Sequence, residues 1–411
     1  MTLFERYLSS AIKRGTLTII DHRGSLSAFG TAEAGWPDVT VRFTDAKVSR
    51  DIALQPDLGA GEAYMDGRLV IEQGEVIDLT SLIYRNNPWE QGGTIDATSP
   101  WRQAFRTAKG KFERINWARK SKRNVAHHYD LDDRLYDLFL DADRQYSCAY
   151  WTDPGNTLER AQTDKLAHIA AKLALKPGQR VLDIGCGWGG LALYLNRVAG
   201  VDVLGVTLSE EQIKVAKQRA AAAGVADEVT FELVDYRAVK GRFDRIVSVG
   251  MFEHVGPASY ETFFKKCCNL LTDDGVMLLH TIGRMGTPGV TDGWTAKWIF
   301  PGGYSPSLSE IITASEKASL IATDVETLRL HYAYTLREWY KRVVEHRAEI
   351  ETLYDARFYR MWQFYLAGAA TSFEGGSMCN FQVQYARRRD ALPITRDYMA
   401  FAEAEFLSLP K

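Results

Sequence analysis

Between residues 158 and 280 the chain alternates helical and strand patterns, and this alternation restricts the fold more than any other feature of the sequence. An amphipathic stretch at Leu158–Leu173 precedes the apolar run Arg180-Val181-Leu182-Asp183-Ile184. A helical pattern, the run Val203-Leu204-Gly205-Val206-Thr207 and a helix from Glu210 to Ala223 follow. Strand patterns return at Val229–Leu233, Arg245–Val249 and Gly275–His280. Apolar strands separated by helices belong to a parallel sheet covered on both faces. The first strand runs into Gly185-Cys186-Gly187-Trp188-Gly189-Gly190 before the next helix. Open α/β sheets bind ligands outside the carboxyl ends of their strands, so this turn marks the expected crevice. The C-terminal third leaves the alternation and reads as mainly helical, with aromatic-rich faces.

Ahead of the sheet, Phe4, Leu8 and Ile12 recur four apart before Gly15, which predicts a short amphipathic helix. Thr16–Ile20, Val39–Phe43 and Arg68–Ile71 are strand-like runs bounded by turn residues, and a helix is expected near Ile77–Tyr84. Residues 1–100 therefore read as a small α+β domain. Residues 101–125 form a basic aromatic linker. Arg102, Arg106, Lys109, Lys111, Arg114, Arg119, Lys120, Lys122 and Arg123 are opposed there only by Glu113, with Trp101, Phe105, Phe112, Ile115 and Trp117 among them. Such a segment either rests on an anionic membrane surface, where each cation contributes about 1 kcal/mol, or is a solvated helix. Residues 126–411 are left as a second, larger domain that carries the sheet.

Of the 411 residues, 46% are hydrophobic and 11% aromatic, enough buried surface to offset the entropy of ordering, so disorder is excluded as the main state. A formal net charge of -2 argues against a general nucleic-acid binder. No apolar run reaches the roughly 18 residues of a membrane span, and the opening MTLFERYLSSAIKRG mixes charges into its apolar positions, unlike a secretory signal. The 5 cysteines are scattered and lack CxxC spacing, which fits a reducing cytoplasm and no metal site.

The glycine turn can be read as GxGxxG at Gly185, Gly187 and Gly190, the pattern of a dinucleotide site. Two details point elsewhere. Asp183 precedes the first glycine within the strand, and the second strand ends at Thr207 where a ribose-holding acid would stand. An acid so placed is the arrangement of S-adenosylmethionine methyltransferases, whose small residues let the backbone approach the amino-acid end of the cofactor. Five motifs occur together: YSCAYW at Tyr146–Trp151, VLDIGCGWGG at Val181–Gly190, GVTLS at Gly205–Ser209, RIVSVGMFEHVG at Arg245–Gly256 and LHTIG at Leu279–Gly283. In that order they resemble the cyclopropane-fatty-acyl-phospholipid synthases, strongly over about residues 120–400 and more loosely over the N-terminal domain.

The resemblance implies an α/β fold: a Rossmann-like class I methyltransferase sheet with helical additions, joined to an N-terminal α+β domain that binds lipid. It implies S-adenosylmethionine contacts at Tyr146, Ser147, Gly185, Gly187, Thr207, Leu208, Gln212, Tyr236 and Gly250, with Asp183 beside them. The implied reaction moves a methylene to the cis double bond of an unsaturated acyl chain of a membrane phospholipid. An alkene needs alignment and a dry site to attack a sulfonium methyl, and the resulting carbocation must then lose a proton from the new methyl group. The family implies a bound bicarbonate as that base, held by Cys148, Glu253, His280, Ile282 and Tyr332, with Tyr334 competing for the tyrosine's place. His280 can donate to an anion, Tyr332 offers a hydroxyl, Cys148 and Ile282 offer backbone groups, and Glu253 can orient bicarbonate through its proton. Also implied are peripheral contact with an anionic membrane, a cytoplasmic location at its inner face, and a homodimer. The alternatives are a relative making a methyl-branched or methylene fatty acid, one methylating a small amine or sterol, or a lipid-binding protein on an inactive scaffold.

Overall fold

The computed structural model describes residues 3–93 and 131–409; the basic aromatic segment 101–125 lies outside them. The described residues form two compact units, one of 3–93, 291–299 and 332–378, the other of 131–290, 300–331 and 379–409. Segments 291–299 and 332–378, expected within a continuous 126–411 domain, thus cluster with the N-terminal residues. Their aromatic faces explain why: Trp294 packs edge-on against Phe364, its indole N–H donates to Met65 Sδ at 3.2 Å, and Tyr64 packs on Phe364.

The first unit carries β1 (Gly15–Ile20), β2 (Leu26–Thr31), β3 (Asp38–Phe43) and β4 (Leu69–Gln73) in the order β2-β1-β3-β4. β1 and β3 are parallel and the other pairs antiparallel. Alternate residues Leu17, Ile19, Val39, Val41 and Phe43 face the core. The helix Val76–Asn86 starts from a capping box between Glu75 and Asp78. β2 and the helices Val48–Leu54 and Pro56–Met65 were not expected. β2 buries only Phe29, so its alternation is faint. Two glycines mask the helix Pro56–Met65; a Cβ at Gly61 would lie 2.5 Å from the Trp294 ring, so close packing requires glycine there.

In the second unit, β5 (Arg180–Ile184), β6 (Asp202–Thr207), β7 (Val229–Leu233), β8 (Phe243–Val249), β9 (Leu271–Arg284), β10 (Ile321–Thr327) and β11 (Met378–Ala386) lie in the order β10-β11-β9-β8-β5-β6-β7. β5 is parallel to β6 on one side and to β8 on the other, so the chain reverses its direction of travel between β5 and β8. Successive residues of one strand feed opposite cores. Leu182, Ile246, Met277 and Leu279 pack on one face, while Val181, Val247 and Leu278 pack on the other.

The C-terminal third is mainly helical, as expected, but it also supplies β10 and β11, which were not expected and which extend the sheet. β11 is hard to see in sequence because Asn380, Gln382 and Gln384 interrupt its apolar residues, yet all three are buried. Among the described residues no helix is long and apolar enough to cross a membrane.

Candidate active site

The carboxyl ends of β5 and β8 meet where the strand order reverses, and a cavity opens there. All ten residues expected to contact the cofactor line it: Tyr146, Ser147, Asp183, Gly185, Gly187, Thr207, Leu208, Gln212, Tyr236 and Gly250. Two glycines shape its floor. Gly185 has φ +88°, and a Cβ there would stand 2.7 Å from Met251 Cβ. Gly187 has φ +53° with nothing within 4 Å of the place a Cβ would take, so its backbone faces open space. After β6, the Thr207 hydroxyl donates to Gln212 Oε1 at 3.2 Å, and Ser209 caps the helix Glu210–Ala222 by accepting from the Gln212 N–H.

Segment 145–147 has no regular structure, so its polar groups need partners elsewhere. The helix Leu158–Lys172 supplies them: Gln162 Nε2 donates to the carbonyls of Gln145 and Ser147, both at 3.1 Å. Lys165 Nζ donates to Gln145 Oε1 at 2.6 Å and Ser147 Oγ at 3.0 Å. The Tyr146 ring packs edge-on against Tyr136 and Phe139.

Two buried charges of opposite sign line this cavity. Burial pushes the Asp183 carboxyl up to about 7 against the pull of Lys165, and its Oδ2 is buried with no hydrogen-bond partner. Burial likewise lowers the Lys165 ammonium to about 8. An orphaned acceptor beside an open glycine backbone fits the amino-acid end of S-adenosylmethionine, whose ammonium Asp183 can receive.

Four of the five residues expected at the anion site adjoin this cavity within the second unit. Gly250 donates its N–H to the His280 carbonyl at 3.0 Å, so the cavity lining continues directly into β9. Glu253 follows β8 in a short 3-10 turn. Its Oε1 accepts the Ile282 N–H at 2.6 Å, while Oε2 is buried without a hydrogen-bond partner. Of the Ile282 backbone groups expected near the anion, the N–H thus fixes Glu253. Burial raises Glu253 to about 7, tempered by backbone N–H groups and the Thr281 hydroxyl. His280 is neutral, lowered to about 3 by burial, and its ring nitrogens lie 3.3 Å from Asn380 Nδ2 and 3.1 Å from Gln382 Nε2. Its ring is therefore engaged by β11. Cys148 follows Ser147, and burial raises its thiol far above the ordinary range. Tyr332 belongs to the first unit, where it opens a helical turn against Trp339 and Phe373.

Lys165 and His254 also line the cavity and were not among the residues expected to hold a ligand. The signal for Lys165 was present: it shares the buried helix face of Leu158, Ala161, Gln162 and Ile169, an unusual place for lysine. His254, lowered to about 4 by burial, is a second neutral imidazole there.

Comparison with known proteins agrees with this geometry. The mycolic acid cyclopropane synthetase family profile matches residues 117–383. The cyclopropane-fatty-acyl-phospholipid synthase of Escherichia coli strain K12 is 38% identical over 362 residues, 88% of this chain and 91% of that protein. The tuberculostearic acid methyltransferase UfaA1 of Mycobacterium tuberculosis is 34% identical over 378 residues, 87% of this chain and 84% of that protein. Among solved structures, mycolic acid cyclopropane synthase CmaA1 complexed with SAH and CTAB superposes with TM-score 0.61 at 34% identity, covering 64% of this chain and 98% of that one.

Proposed function

The chain belongs to the mycolic acid cyclopropane synthetase family of S-adenosylmethionine-dependent methyltransferases, and from that premise we propose that it adds a methylene across the cis double bond of a membrane phospholipid acyl chain. S-adenosylmethionine, when bound, supplies the electrophilic methyl group. Tyr146, Ser147, Asp183, Gly185, Gly187, Thr207, Leu208, Gln212, Tyr236 and Gly250 would hold it, because they line one cavity at the strand ends.

The observation that carries the reading is Glu253, a buried carboxyl anchored through one oxygen and unpartnered at the other, one strand end from that cavity. A bicarbonate beside it would supply a weak base for the proton lost at ring closure, and Glu253 Oε2 would accept the hydrogen bond that orients it. The neighbouring side chains suit a developing cation. His254 and His280 carry no charge to repel it, and the Cys148 thiol stays protonated and so does not trap it. Tyr332 enters this set on the family resemblance alone. Residues 1–100 and the basic aromatic segment 101–125 would bring the enzyme to an anionic bilayer, at the cytoplasmic face, as a homodimer.

A second reading, methyl transfer without ring closure, is favoured by the 34% identity to a relative named as a methyltransferase. The test is to incubate the full chain with S-adenosylmethionine and liposomes of cis-unsaturated phosphatidylglycerol. A mass gain of one methylene on the acyl chain supports the proposal, and unchanged lipid refutes it.

A further inference from the structure

The helix Leu158–Lys172 carries a further ionisable group outside the cavity lining, His168. Its Nε2 lies 2.8 Å from Glu326 of β10 and its Nδ1 2.9 Å from Glu403 of the C-terminal helix Asp397–Ser408. An ionised carboxylate can only accept, so a ring flanked by one at each nitrogen carries both protons and is an imidazolium. It lies flat on Tyr150, with centroids 4.0 Å and planes 11° apart, where the quadrupole of the tyrosine ring attracts the cation. His331 covers the other face of Tyr150 at 4.8 Å and 6°, and its Nδ1 accepts the Trp151 N–H at 2.8 Å, so this second imidazole is neutral. The Tyr150 N–H donates to the Ala161 carbonyl at 3.0 Å. All of these residues belong to the second unit.

Of the other charges near the imidazolium, Asp324 of β10 is met by Lys172 and Arg396, Lys172 also reaches Glu326, and Asp164 is met by Arg160. His280 of β9 is neutral, Arg329 stands beside His331, and burial keeps the nearby phenols of Tyr194 and Tyr398 protonated. Glu326 and Glu403 therefore answer the imidazolium itself. We propose that Glu403, His168 and Tyr150 are positioning residues for the ring-closing reaction: the two carboxylates hold the His168 imidazolium, that ring and His331 clamp Tyr150, and the clamp fixes the irregular backbone just after Cys148 of the anion set. The inference rests on the reading of Cys148 and Glu253 as members of that set. Segment 145–147 is fastened separately through Gln162 and Lys165, so the clamp serves the chemical step and not cofactor binding. Glu403 lies beyond residues 117–383, which the family profile matches, so this brace comes from a part of the chain outside that profile.

The test follows kcat of the full chain against pH, at saturating S-adenosylmethionine on liposomes of cis-unsaturated phosphatidylglycerol, with S-adenosylhomocysteine affinity measured alongside by calorimetry. In wild type kcat should decline as pH rises through the His168 titration, above the ordinary histidine value near 6.5. Glu403→Gln removes one of the two negative partners, so His168 loses its proton sooner and the decline should move to lower pH by about half a unit or more. His168→Gln should lack that decline. Tyr150→Leu should lower kcat about tenfold or more, the scale of a misplaced reacting group, and Tyr150→Phe, which keeps the ring, should recover most of it. In each variant S-adenosylhomocysteine affinity should stay within about threefold of wild type. A wild-type profile with no alkaline decline, a decline that Glu403→Gln leaves in place, or a parallel loss of kcat and affinity overturns the proposal and leaves the proposed function standing. If wild type transfers nothing to lipid at any pH, the function itself has failed and the clamp with it. Should Tyr150→Leu not fold, the Glu403→Gln profile decides the matter.

Discussion

Glu253 is held through Oε1 by the Ile282 N–H, and Oε2 has no partner, so the carboxyl is both aimed and available. If it orients the base, Glu253→Gln keeps the shape and loses the function. Turnover at saturating cofactor should fall roughly 100-fold or more, the usual scale for a lost acid-base group, with S-adenosylhomocysteine affinity changed less than about threefold. Equal losses in both would show that the residue serves the cofactor. Because burial places its titration near 7, turnover at saturating cofactor should decline as pH falls through that value, and the decline should be missing from what activity Glu253→Gln retains. At Gly185 the conformation is the constraint. Gly185→Ala brings a methyl to 2.7 Å from Met251 Cβ at φ +88°, and calorimetry should register at least a tenfold loss of S-adenosylhomocysteine affinity.

At the scale of elements, two pieces of secondary structure support the site from behind. The helix Leu158–Lys172 fastens the irregular segment 145–147 through Gln162 and Lys165. β11 engages both nitrogens of the buried His280 ring through Asn380 and Gln382. Gln382→Leu leaves an imidazole nitrogen without a partner in a dry interior, which costs about 1–3 kcal/mol. Urea denaturation should show that loss as a lower midpoint, and an unchanged midpoint would contradict this role for β11. These elements also mark how far the sequence could be read. β5, β6 and β8 were visible because both their faces are covered, which makes them largely apolar runs, β7 because its buried and exposed residues alternate, and the glycine turn located the cavity. β11 was not, because its buried amides look like surface residues until the partner, His280, is known. Ile282 was expected to offer backbone groups to an anion, and only the fold reveals that its N–H goes to Glu253.

Over the whole molecule, the buried ionisable groups set how stability depends on pH. Asp183 and Glu253 hold protons to about 7 in the folded state, well above their ordinary values, so the stability they contribute is present below those ordinary values and is lost as pH rises to about 7. His254 and His280 act oppositely: their folded values of about 4 and 3 make stability rise with pH up to the ordinary histidine value near 6.5. His168, raised despite its burial by hydrogen bonds to Glu326 and Glu403, adds a decline above that value. Between about pH 6.5 and 7.5 the declining contributions remain, so the ligand-free protein should melt at a lower temperature at pH 7.5 than at 6.5. Asp183→Asn should flatten part of that slope in scanning calorimetry; an identical slope would show that Asp183 titrates normally.

The central claim is that the chain closes a ring instead of leaving a methyl branch, and isotopic labelling tests it most directly. The full chain is supplied with S-adenosylmethionine carrying a trideuterated methyl and with liposomes of cis-unsaturated phospholipid, and the acyl products are weighed by mass spectrometry. Ring closure removes one deuteron from the transferred methyl, so the account predicts a product retaining two deuteria. A product retaining all three would contradict it.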